Sequence, residues 1–324
     1  MMEKYNLGID IGGTAVKIGI VTIDGKIVHK WEIPTNKTEQ GKHIVKEVWE
    51  SISTFMHNNS IPLNTIQGMG IGAPGFVNRE AGIIYEAVNI GWKNFDLAAQ
   101  FKTISNLPVF VENDANMAAL GEFWRGAGDL APNMIAITLG TGVGGGVIAN
   151  GTLLDGVNGT AGEIGHLTVD PNGYLCNCGR HGCLETVASA TGIVRQAYET
   201  AKKHPSGQIN QFIQENKTIT TKDIFHLASL GDEDANEIIM YTADVLGLAI
   251  ANIATVINPE KVLLGGGVSK AGNQFIEPLK KAFKKYALSR ISAACEFSIA
   301  KLGNDAGIIG ASYLVNEKCN ANRK

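Results

Sequence analysis

The chain of 324 residues is short of cysteine, of proline and of positive charge. It contains five cysteines and nine prolines, and its formal net charge is −3. A chain without a basic field has no electrostatic means of holding nucleic acid or an anionic membrane, so we expect neither partner. The first residues form no hydrophobic leader, and we therefore expect a cytoplasmic protein.

Long hydrophobic runs are also missing. The longest apolar stretch, from Val245 to Ile257, is interrupted by Asn252 and Thr255. We interpret it as a buried helix, because it is too short to span a bilayer. Apolar residues make up 44% of the chain and charged residues 18%, which is typical of a globular protein. The length allows two domains.

The sequence also argues against two common kinds of nucleotide-binding site. No segment matches G-x-x-x-x-G-K-[S/T], which excludes a P-loop. Gly70 to Gly75 and Gly140 to Gly145 match the dinucleotide pattern G-x-G-x-x-G. That pattern requires a helix opening at the glycines. Turn residues follow the first match and a strand follows the second, so we reject a dinucleotide fold.

Glycine is the residue that the chain has in excess, with 39 copies. Gly12-Gly13-Thr14 follows a strand that carries Asp10, and Gly140-Thr141-Gly142 is a second turn of the same kind. The backbone N–H groups of such turns bind phosphate. Lys17 would add charge, and Asp10 would hold Mg²⁺ directly or through water. The alternative is that these glycines only form hairpins.

The two glycine turns belong to a faint internal repeat. Residues 9–20 and 137–148 each show a strand, a glycine turn and a second strand, and the hairpin signals Asp24-Gly25 and Asn150-Gly151 follow. We therefore predict a duplicated α/β protein with mixed sheets and helices on both faces. The predicted domains are 1–125 and 126–304, with a final helix over 305–324 that returns to the first domain.

One histidine and three of the five cysteines gather in a single segment, the loop 163–185. They are His166, Cys176, Cys178 and Cys183. Thiolates and an imidazole in this pattern predict a tetrahedral structural zinc site, with the carboxylates Glu163 and Glu185 beside it. The Cys-x-Cys gap is tighter than in most zinc sites, so a disulfide, a redox role and plain burial remain as alternatives. Cys295 and Cys319 are interpreted as ordinary thiols.

Several motifs together resemble one family over nearly the whole chain, from about Leu7 to Ala311. They are Asp10-Ile-Gly-Gly-Thr14, Gly72-Ala-Pro-Gly75, Glu112-Asn-Asp-Ala-Asn116, Leu139-Gly-Thr-Gly142, Gly162-Glu-Ile-Gly-His166, the segment from Cys176 to Glu185, and Leu264-Gly-Gly-Gly267. The chain is similar to the ROK sugar kinases, especially the bacterial glucokinases of that group. The resemblance implies a two-domain actin-like ATPase fold, which is a duplicated ribonuclease H-like fold with a cleft between the domains. It also implies a homodimer.

The resemblance further implies an ATP-dependent kinase that converts glucose to glucose 6-phosphate in glycolysis, with Asp114 as the general base. The implied sugar-binding residues are Gly75, Asn89, Asn113, Asp114, Glu163, His166 and Glu185. The implied nucleotide-binding residues are Asp10, Gly12, Gly13, Thr14, Lys17, Gly140, Thr141, Gly142, Gly265, Gly266 and Gly267. ATP, Mg²⁺ and a structural Zn²⁺ are the implied cofactors. His166 would use one ring nitrogen for zinc and the other for the sugar.

Other functions remain open at this point. Kinases for N-acetylmannosamine, N-acetylglucosamine, fructose or allose use overlapping polar residues. A sugar-sensing repressor is disfavoured, because repressors of this family carry a DNA-binding segment and only nine residues precede Asp10 here. A chaperone-like or filament-forming ATPase is disfavoured by Asn113-Asp114 and by the set Glu163, His166 and Glu185.

Overall fold

The computed structural model describes residues 3–321, and these contain thirteen strands and twelve helices. The strands are β1 (Tyr5–Ile11), β2 (Ala15–Thr22), β3 (Ile27–Pro34), β4 (Ile66–Ala73), β5 (Phe76–Asn78), β6 (Ile83–Ala87), β7 (Trp92–Asp96), β8 (Val109–Asn113), β9 (Met134–Leu139), β10 (Val143–Ala149), β11 (Thr152–Leu153), β12 (Lys261–Gly265) and β13 (Glu296–Ile299).

Within the described residues, twelve helices connect or follow these strands. They are α1 (Ile44–Asn58), α2 (Leu97–Ser105), α3 (Asp114–Arg125), α4 (Glu185–Ala188), α5 (Ala190–Lys203), α6 (Gln208–Asn216), α7 (Thr221–Ser229), α8 (Glu233–Ile257), α9 (Gly266–Ser269), α10 (Asn273–Tyr286), α11 (Ser289–Ala294) and α12 (Ala306–Ala321). Short 3-10 turns occupy Thr38–Gly41, Leu63–Thr65, Ile164–His166 and Gly303–Asp305.

The described chain divides into two compact units. The first contains the residues up to Leu130, the segment Gly146–Gly162 and the residues from Lys301 onward, and the second contains Ala131–Gly145 and Glu163–Ala300. The segment 146–162 differs from the predicted boundaries, because it groups with the first unit. Its packing explains this: a Cβ atom added to Gly146 would lie 2.5 Å from the Ala119 Cβ, and one added to Gly159 would lie 2.0 Å from the Val77 carbonyl oxygen.

The first unit is built on a five-stranded sheet with the order β3-β2-β1-β4-β8. Strands β1, β2 and β3 form antiparallel pairs, whereas β4 and β8 run parallel to β1 and to each other. On β1 the side chains of Leu7, Ile9 and Ile11 are fully buried on one face, and Asn6 and Gly8 are buried on the other. A strand that is buried on both faces requires cover on both, which α1 and α2 on one side and α3 and α12 on the other would supply. A smaller sheet, β5-β6-β7, completes this unit.

The second five-stranded sheet repeats the order of the first. Its order is β11-β10-β9-β12-β13, and β12 runs parallel to both β9 and β13. In each sheet three consecutive strands come first and two later strands extend the sheet in parallel. The hairpin between β10 and β11 has positive φ at Asn150 (51°) and Gly151 (74°), as a two-residue type I′ turn requires. The predicted duplication of an α/β fold is confirmed by this topology.

Helix α12 packs so closely on the first sheet that its backbone contacts the backbone of the strands. A Cβ atom added to Gly8 would lie 2.3 Å from the carbonyl oxygen of Ile308, and one added to Gly70 would lie 2.1 Å from that of Ala311. The same helix approaches α3, since a Cβ atom on Gly310 would lie 1.8 Å from the Met117 carbonyl oxygen. Glycine at these positions is therefore a packing requirement.

Helix α8 is the one helix among residues 3–321 with the length and apolar composition of a membrane span. It begins at Glu233, well before the apolar stretch at Val245, so length alone does not exclude a span, contrary to the expectation from the sequence. More than half of its apolar window is buried inside the protein. Its Gly247 packs on α10, where an added Cβ atom would lie 2.5 Å from the Ala282 Cβ. This burial is that of a core helix.

We expect Gly310→Ala to destabilise the first unit, because the new methyl group has no room beside the Met117 carbonyl oxygen. Overpacking of this kind costs about 1–3 kcal/mol, and the melting temperature should fall by at least about 2 °C. Gly267→Ala is the matched control, because Gly267 has nothing within 4 Å of an added Cβ atom. Equal melting temperatures for the two variants in calorimetry would contradict the packing argument.

Candidate functional site

The first glycine turn joins β1 to β2 and is held by hydrogen bonds at both of its ends. Gly12 N donates to the Ala15 carbonyl oxygen at 3.0 Å. Thr35 donates from Oγ1 to the Gly12 carbonyl oxygen at 2.7 Å and from its backbone N to that of Thr14 at 2.9 Å. The carbonyl oxygens of Gly12 and Thr14 are therefore both bonded to Thr35. Gly13 keeps an open face, because a Cβ atom added there would have no neighbour closer than 3.9 Å.

Asp10 stands at the end of β1 beside this turn. Its carboxylate lies 3.4 Å from Lys17 Nζ, and the two residues are cross-strand partners in the β1–β2 pair. Burial raises the pKa of Asp10, and the Lys17 ammonium opposes that shift. A Cβ atom added to Gly307 would lie 2.8 Å from Asp10 Cγ, so α12 begins against this carboxylate. A carboxylate oxygen is the type of ligand that a hard cation such as Mg²⁺ takes, and Lys17 would have to share Asp10 with that cation.

Asn113 and Asp114 open helix α3 at the end of β8. Asn113 caps the helix, since its Oδ1 accepts from the backbone N of Ala115 at 2.9 Å and of Asn116 at 3.2 Å. Its Nδ2 donates to the Gly75 carbonyl oxygen at 3.1 Å. Asp114 is the first residue of the helix, where the helix dipole favours a negative charge. The predicted loop at Gly75 and the predicted base are therefore linked through one amide side chain.

Behind these residues lies a buried charge network that the sequence did not reveal. Glu112 is 1% exposed, and its Oε1 accepts from Asn113 N at 2.8 Å and from Asn116 Nδ2 at 3.1 Å. Its Oε2 lies 3.3 Å from Arg79 Nε, and Arg79 also reaches Glu317 at 2.9 Å. Burial raises the pKa of Glu112 despite the Arg79 charge. The network holds the backbone N–H of Asn113, one residue before Asp114.

The glycine turn of the second unit is held by the start of α5 and borders Glu185. Ala190 N donates to the Gly140 carbonyl oxygen at 2.8 Å, and Thr191 Oγ1 donates to that of Thr141 at 2.8 Å. Glu185 Oε2 accepts from Val143 N at 3.0 Å. A Cβ atom added to Gly142 would lie 2.3 Å from the same oxygen. Glycine at 142 thus makes room for a carboxylate of the protein itself.

The run Gly265-Gly266-Gly267 passes from β12 into α9. Gly266 has φ +83°, and an added Cβ atom would lie 2.3 Å from the Leu139 carbonyl oxygen. Gly266 is therefore required by backbone packing and conformation. Gly267 has nothing within 4 Å of an added Cβ atom and is open to its surroundings. Of these three glycines, Gly267 has the open face that a ligand needs.

The predicted metal ligands come together in the second unit. One ligand atom from each of His166, Cys176, Cys178 and Cys183 lies within 4.8 Å of the others. Cys178 Sγ and Cys183 Sγ are 3.6 Å apart, and Cys176 Sγ is 3.7 Å from His166 Nδ1. Zinc–sulfur bonds of ~2.3 Å place the corners of a tetrahedron ~3.8 Å apart. The donor set fits zinc in both chemistry and spacing.

The charges in the cluster also suit a cation. Burial opposes ionisation of Cys178, but hydrogen bonds from the backbone and side chain of Arg180 outweigh it and lower its pKa to about 6. Burial and hydrogen bonding to the neighbouring thiols raise the pKa of Cys183 to about 12. One thiolate therefore forms readily and a second is opposed. A divalent cation would reverse that opposition, since thiolates bind metal in their ionised form.

Glu163 and His166 line the other side of the cluster. His166 Nδ1 faces the sulfur atoms, whereas its Nε2 lies 3.9 Å from the Glu163 carboxylate. Burial raises the pKa of Glu163, with the nearby Glu185 adding to the rise and His166 opposing it. Cys176 Sγ is 3.7 Å from Glu185 Oε1, so both carboxylates border the cluster. The orientation of the ring leaves Nε2 for a ligand other than the metal.

The structure groups the predicted site residues by unit. The first unit holds Asp10, Gly12, Gly13, Thr14, Lys17, Gly75, Asn89, Asn113 and Asp114, and the second holds Gly140, Thr141, Gly142, Glu163, His166, Cys176, Cys178, Cys183, Glu185, Gly265, Gly266 and Gly267. Asn89 is exposed and borders the open face of Gly13, with its Cβ 3.9 Å from an added Cβ atom there. In each unit a glycine turn is thus adjacent to a predicted sugar-binding side chain.

A family model described as the ROK family matches residues 6–318, and the chain belongs to that family. A protein named glucokinase from Halalkalibacterium halodurans is 49% identical over 100% of this chain and 98% of its own length. These findings confirm the family predicted from the sequence motifs.

Solved structures give the same fold. A ROK family glucokinase from Streptomyces griseus, in complex with glucose and AMPPNP, is 33% identical with a TM-score of 0.77, covering 97% of this chain and 99% of that one. A ROK family transcriptional regulator, a homologue of the Escherichia coli Mlc protein, is 27% identical with a TM-score of 0.86. The match covers 98% of this chain and 78% of the regulator. The predicted actin-like ATPase fold is confirmed.

We expect the purified protein to contain about one zinc ion per chain, and Cys178→Ser to lose both the metal and stability. Cys295→Ser is the matched control, because Cys295 lies outside the cluster. Metal analysis and melting curves are the measurements. Full zinc content and an unchanged melting temperature in Cys178→Ser would rule out these four residues as the metal site.

Proposed function

We propose that this protein is a glucokinase that transfers the γ-phosphoryl group of ATP to the 6-hydroxyl of glucose. The observation that carries the proposal is the 49% identity with a glucokinase over the whole chain. The Streptomyces griseus relative with glucose and AMPPNP supports the same substrates. The step would provide glucose 6-phosphate for glycolysis.

In the first unit, Asp114 is the proposed general base. It would accept the proton of the sugar hydroxyl while that oxygen forms a bond to the γ-phosphorus and the bond from phosphorus to the ADP oxygen breaks. A positioned carboxylate of this kind contributes about 10²–10⁴-fold to the rate. Asn113 supports the assignment, because its side chain caps α3 and contacts the Gly75 loop. Asn113, Gly75 and Asn89 are the proposed sugar contacts in this unit.

In the second unit, Glu163, His166 and Glu185 are the proposed sugar contacts. Carboxylates and an imidazole accept or donate hydrogen bonds in fixed directions, and a hydroxyl missing from the sugar would leave them unpaired. A bound zinc ion with four protein ligands would supply structure only. His166 would face the metal with Nδ1 and the sugar with Nε2, which agrees with the orientation of its ring.

The nucleotide would be bound by the glycine turns. In the first unit these contacts are Asp10, Gly12, Gly13, Thr14 and Lys17, and in the second they are Gly140, Thr141, Gly142, Gly265, Gly266 and Gly267. Turns with free N–H groups bind phosphate oxygens. Asp10 would hold Mg²⁺, which neutralises charge on the phosphates when bound. Lys17 would act through Asp10, because its ammonium already pairs with that carboxylate.

A cytoplasmic homodimer remains our prediction for the assembled protein, with no nucleic acid or membrane partner. Family membership supports the dimer. Light scattering coupled to size exclusion would test it directly, since a dimer has a mass of about 69 kDa, twice the 34.4 kDa of one chain.

The first experiment is Mg-ATP turnover across a panel of glucose, mannose, fructose, allose, N-acetylglucosamine and N-acetylmannosamine. We expect kcat/KM for glucose to exceed that for the other sugars by at least about tenfold. Preference for an N-acetyl sugar would contradict glucose as the substrate, whereas the proposed kinase activity would still hold. Zinc-replete, folded protein that releases no ADP with any sugar would contradict the kinase and favour a sensing role like that of the regulators.

We expect Asp114→Ala to reduce kcat by about 10²–10⁴-fold while glucose binds within about tenfold of the wild-type affinity. The reason is that the base acts on the reacting proton, whereas other residues would hold the sugar. Glu50→Ala is the matched control, because Glu50 is an exposed carboxylate on α1. A kcat above a tenth of the wild-type value in Asp114→Ala would overturn the assignment.

A further inference from the structure

We propose that Lys37 is a further catalytic residue, whose ammonium group contacts the γ-phosphoryl group of the nucleotide during transfer. This inference rests on the proposed kinase function. No motif singles out Lys37, which follows β3 in the segment Thr35-Asn36-Lys37. Its place beside the first glycine turn is visible only in the folded chain.

The position of Lys37 Nζ is the first step. A Cβ atom added to Gly13 would lie 3.9 Å from Lys37 Nζ and 3.9 Å from Asn89 Cβ, with no other atom within 4 Å. The space beside Gly13 is thus bordered by a cation and by a predicted sugar contact. A phosphoryl group on its way to a sugar hydroxyl would need that combination, since it must meet N–H donors, positive charge and the acceptor together.

Gly13 itself supports a ligand in this space. Its φ lies outside the left-handed region, and no neighbour excludes a side chain at van der Waals distance. Neither backbone conformation nor packing therefore requires glycine here. A side chain would fill the space beside Lys37 and Asn89, and its absence leaves room for a phosphate close to the backbone N–H groups.

The segment that carries Lys37 is held firmly on the turn. Thr35 makes its two hydrogen bonds to Gly12 and Thr14. Asn36 Nδ2 donates to Glu47 Oε1 on α1 at 2.7 Å, and Asn36 Oδ1 accepts from Thr38 N at 3.1 Å. The residues on both sides of Lys37 are thereby fixed to the turn and to a helix.

The charge balance also favours Lys37 over Lys17. Lys17 pairs with Asp10 at 3.4 Å, so its charge is already used. Lys37 makes no hydrogen bond or ion pair with any of residues 3–321. The nearest acidic residue along the chain, Glu39, is engaged with Lys42 at 3.7 Å and with His43 at 3.4 Å. An exposed, uncommitted ammonium beside a phosphate turn is suited to neutralise developing charge on phosphoryl oxygens.

The decisive test compares Mg-AMPPNP with Mg-ADP binding in Lys37→Gln by calorimetry, with glucose present. If Lys37 contacts only the γ-phosphoryl group, its replacement should weaken AMPPNP binding by about tenfold and change the affinity for ADP by no more than about twofold. Turnover should fall by about 10²-fold in kcat, while the glucose Kd stays within about threefold. Lys37→Arg should recover part of the selectivity for AMPPNP over ADP, because it keeps the charge.

Lys46→Gln is the matched control, because it removes the same charge from an exposed lysine of α1 that pairs with Glu50. We expect it to match the wild type in both nucleotide affinities and in turnover. A wild-type ratio of AMPPNP to ADP affinity in Lys37→Gln, or an equal loss of both, would overturn the proposal. Wild-type protein that binds AMPPNP but phosphorylates no sugar would contradict the proposed function alone, since the nucleotide comparison still reports on Lys37.

Discussion

The close approach of helix α12 to the first sheet is the constraint on which the first unit depends. Gly8, Gly70 and Gly310 leave the backbone of this helix in direct contact with β1, β4 and α3. The chain from Lys301 onward is thereby tied to strands formed near its beginning. Asp10 and Asp114 belong to the same packed group, because α12 starts against the Asp10 carboxylate and α3 carries Asp114 at its first residue. A side chain at any of these glycines would separate elements that the candidate site needs together.

Duplication of the fold did not produce duplicate sites. Both sheets have the same strand order, and each has a glycine turn between its first two strands. In the first unit the turn is held by Thr35 and leaves Gly13 open. In the second the turn is held by α5, and Gly142 makes room for Glu185. The same backbone shape therefore leaves an open face at Gly13 in the first unit and makes room for the Glu185 carboxylate at Gly142 in the second.

Most regular elements could be predicted from periodicity and turn signals, and several could not. Helix α12 lies within the predicted range 305–324, and helix α8 contains the stretch from Val245 to Ile257 that we interpreted as a buried helix. Helix α10 was not predicted, although its buried residues Phe275, Ile276, Leu279 and Phe283 recur at helical spacing; Pro278 inside it is the residue that local propensity counts against a helix. Strands β5, β6 and β7 are short and stabilise one another across hairpins, which no local pattern shows.

The sequence by itself determined the family, the duplicated α/β plan and the four clustered candidate metal ligands, because glycine turns, hairpin signals and Cys/His spacing are local properties of the chain. Tertiary structure alone decided which charges meet. In the folded chain Lys17 pairs with Asp10, and the buried carboxylate of Glu112 lies beside Arg79. Lys37 lies beside Gly13. These pairings join residues from different strands and loops, and their geometry depends on packing between elements, which spacing along one chain does not encode.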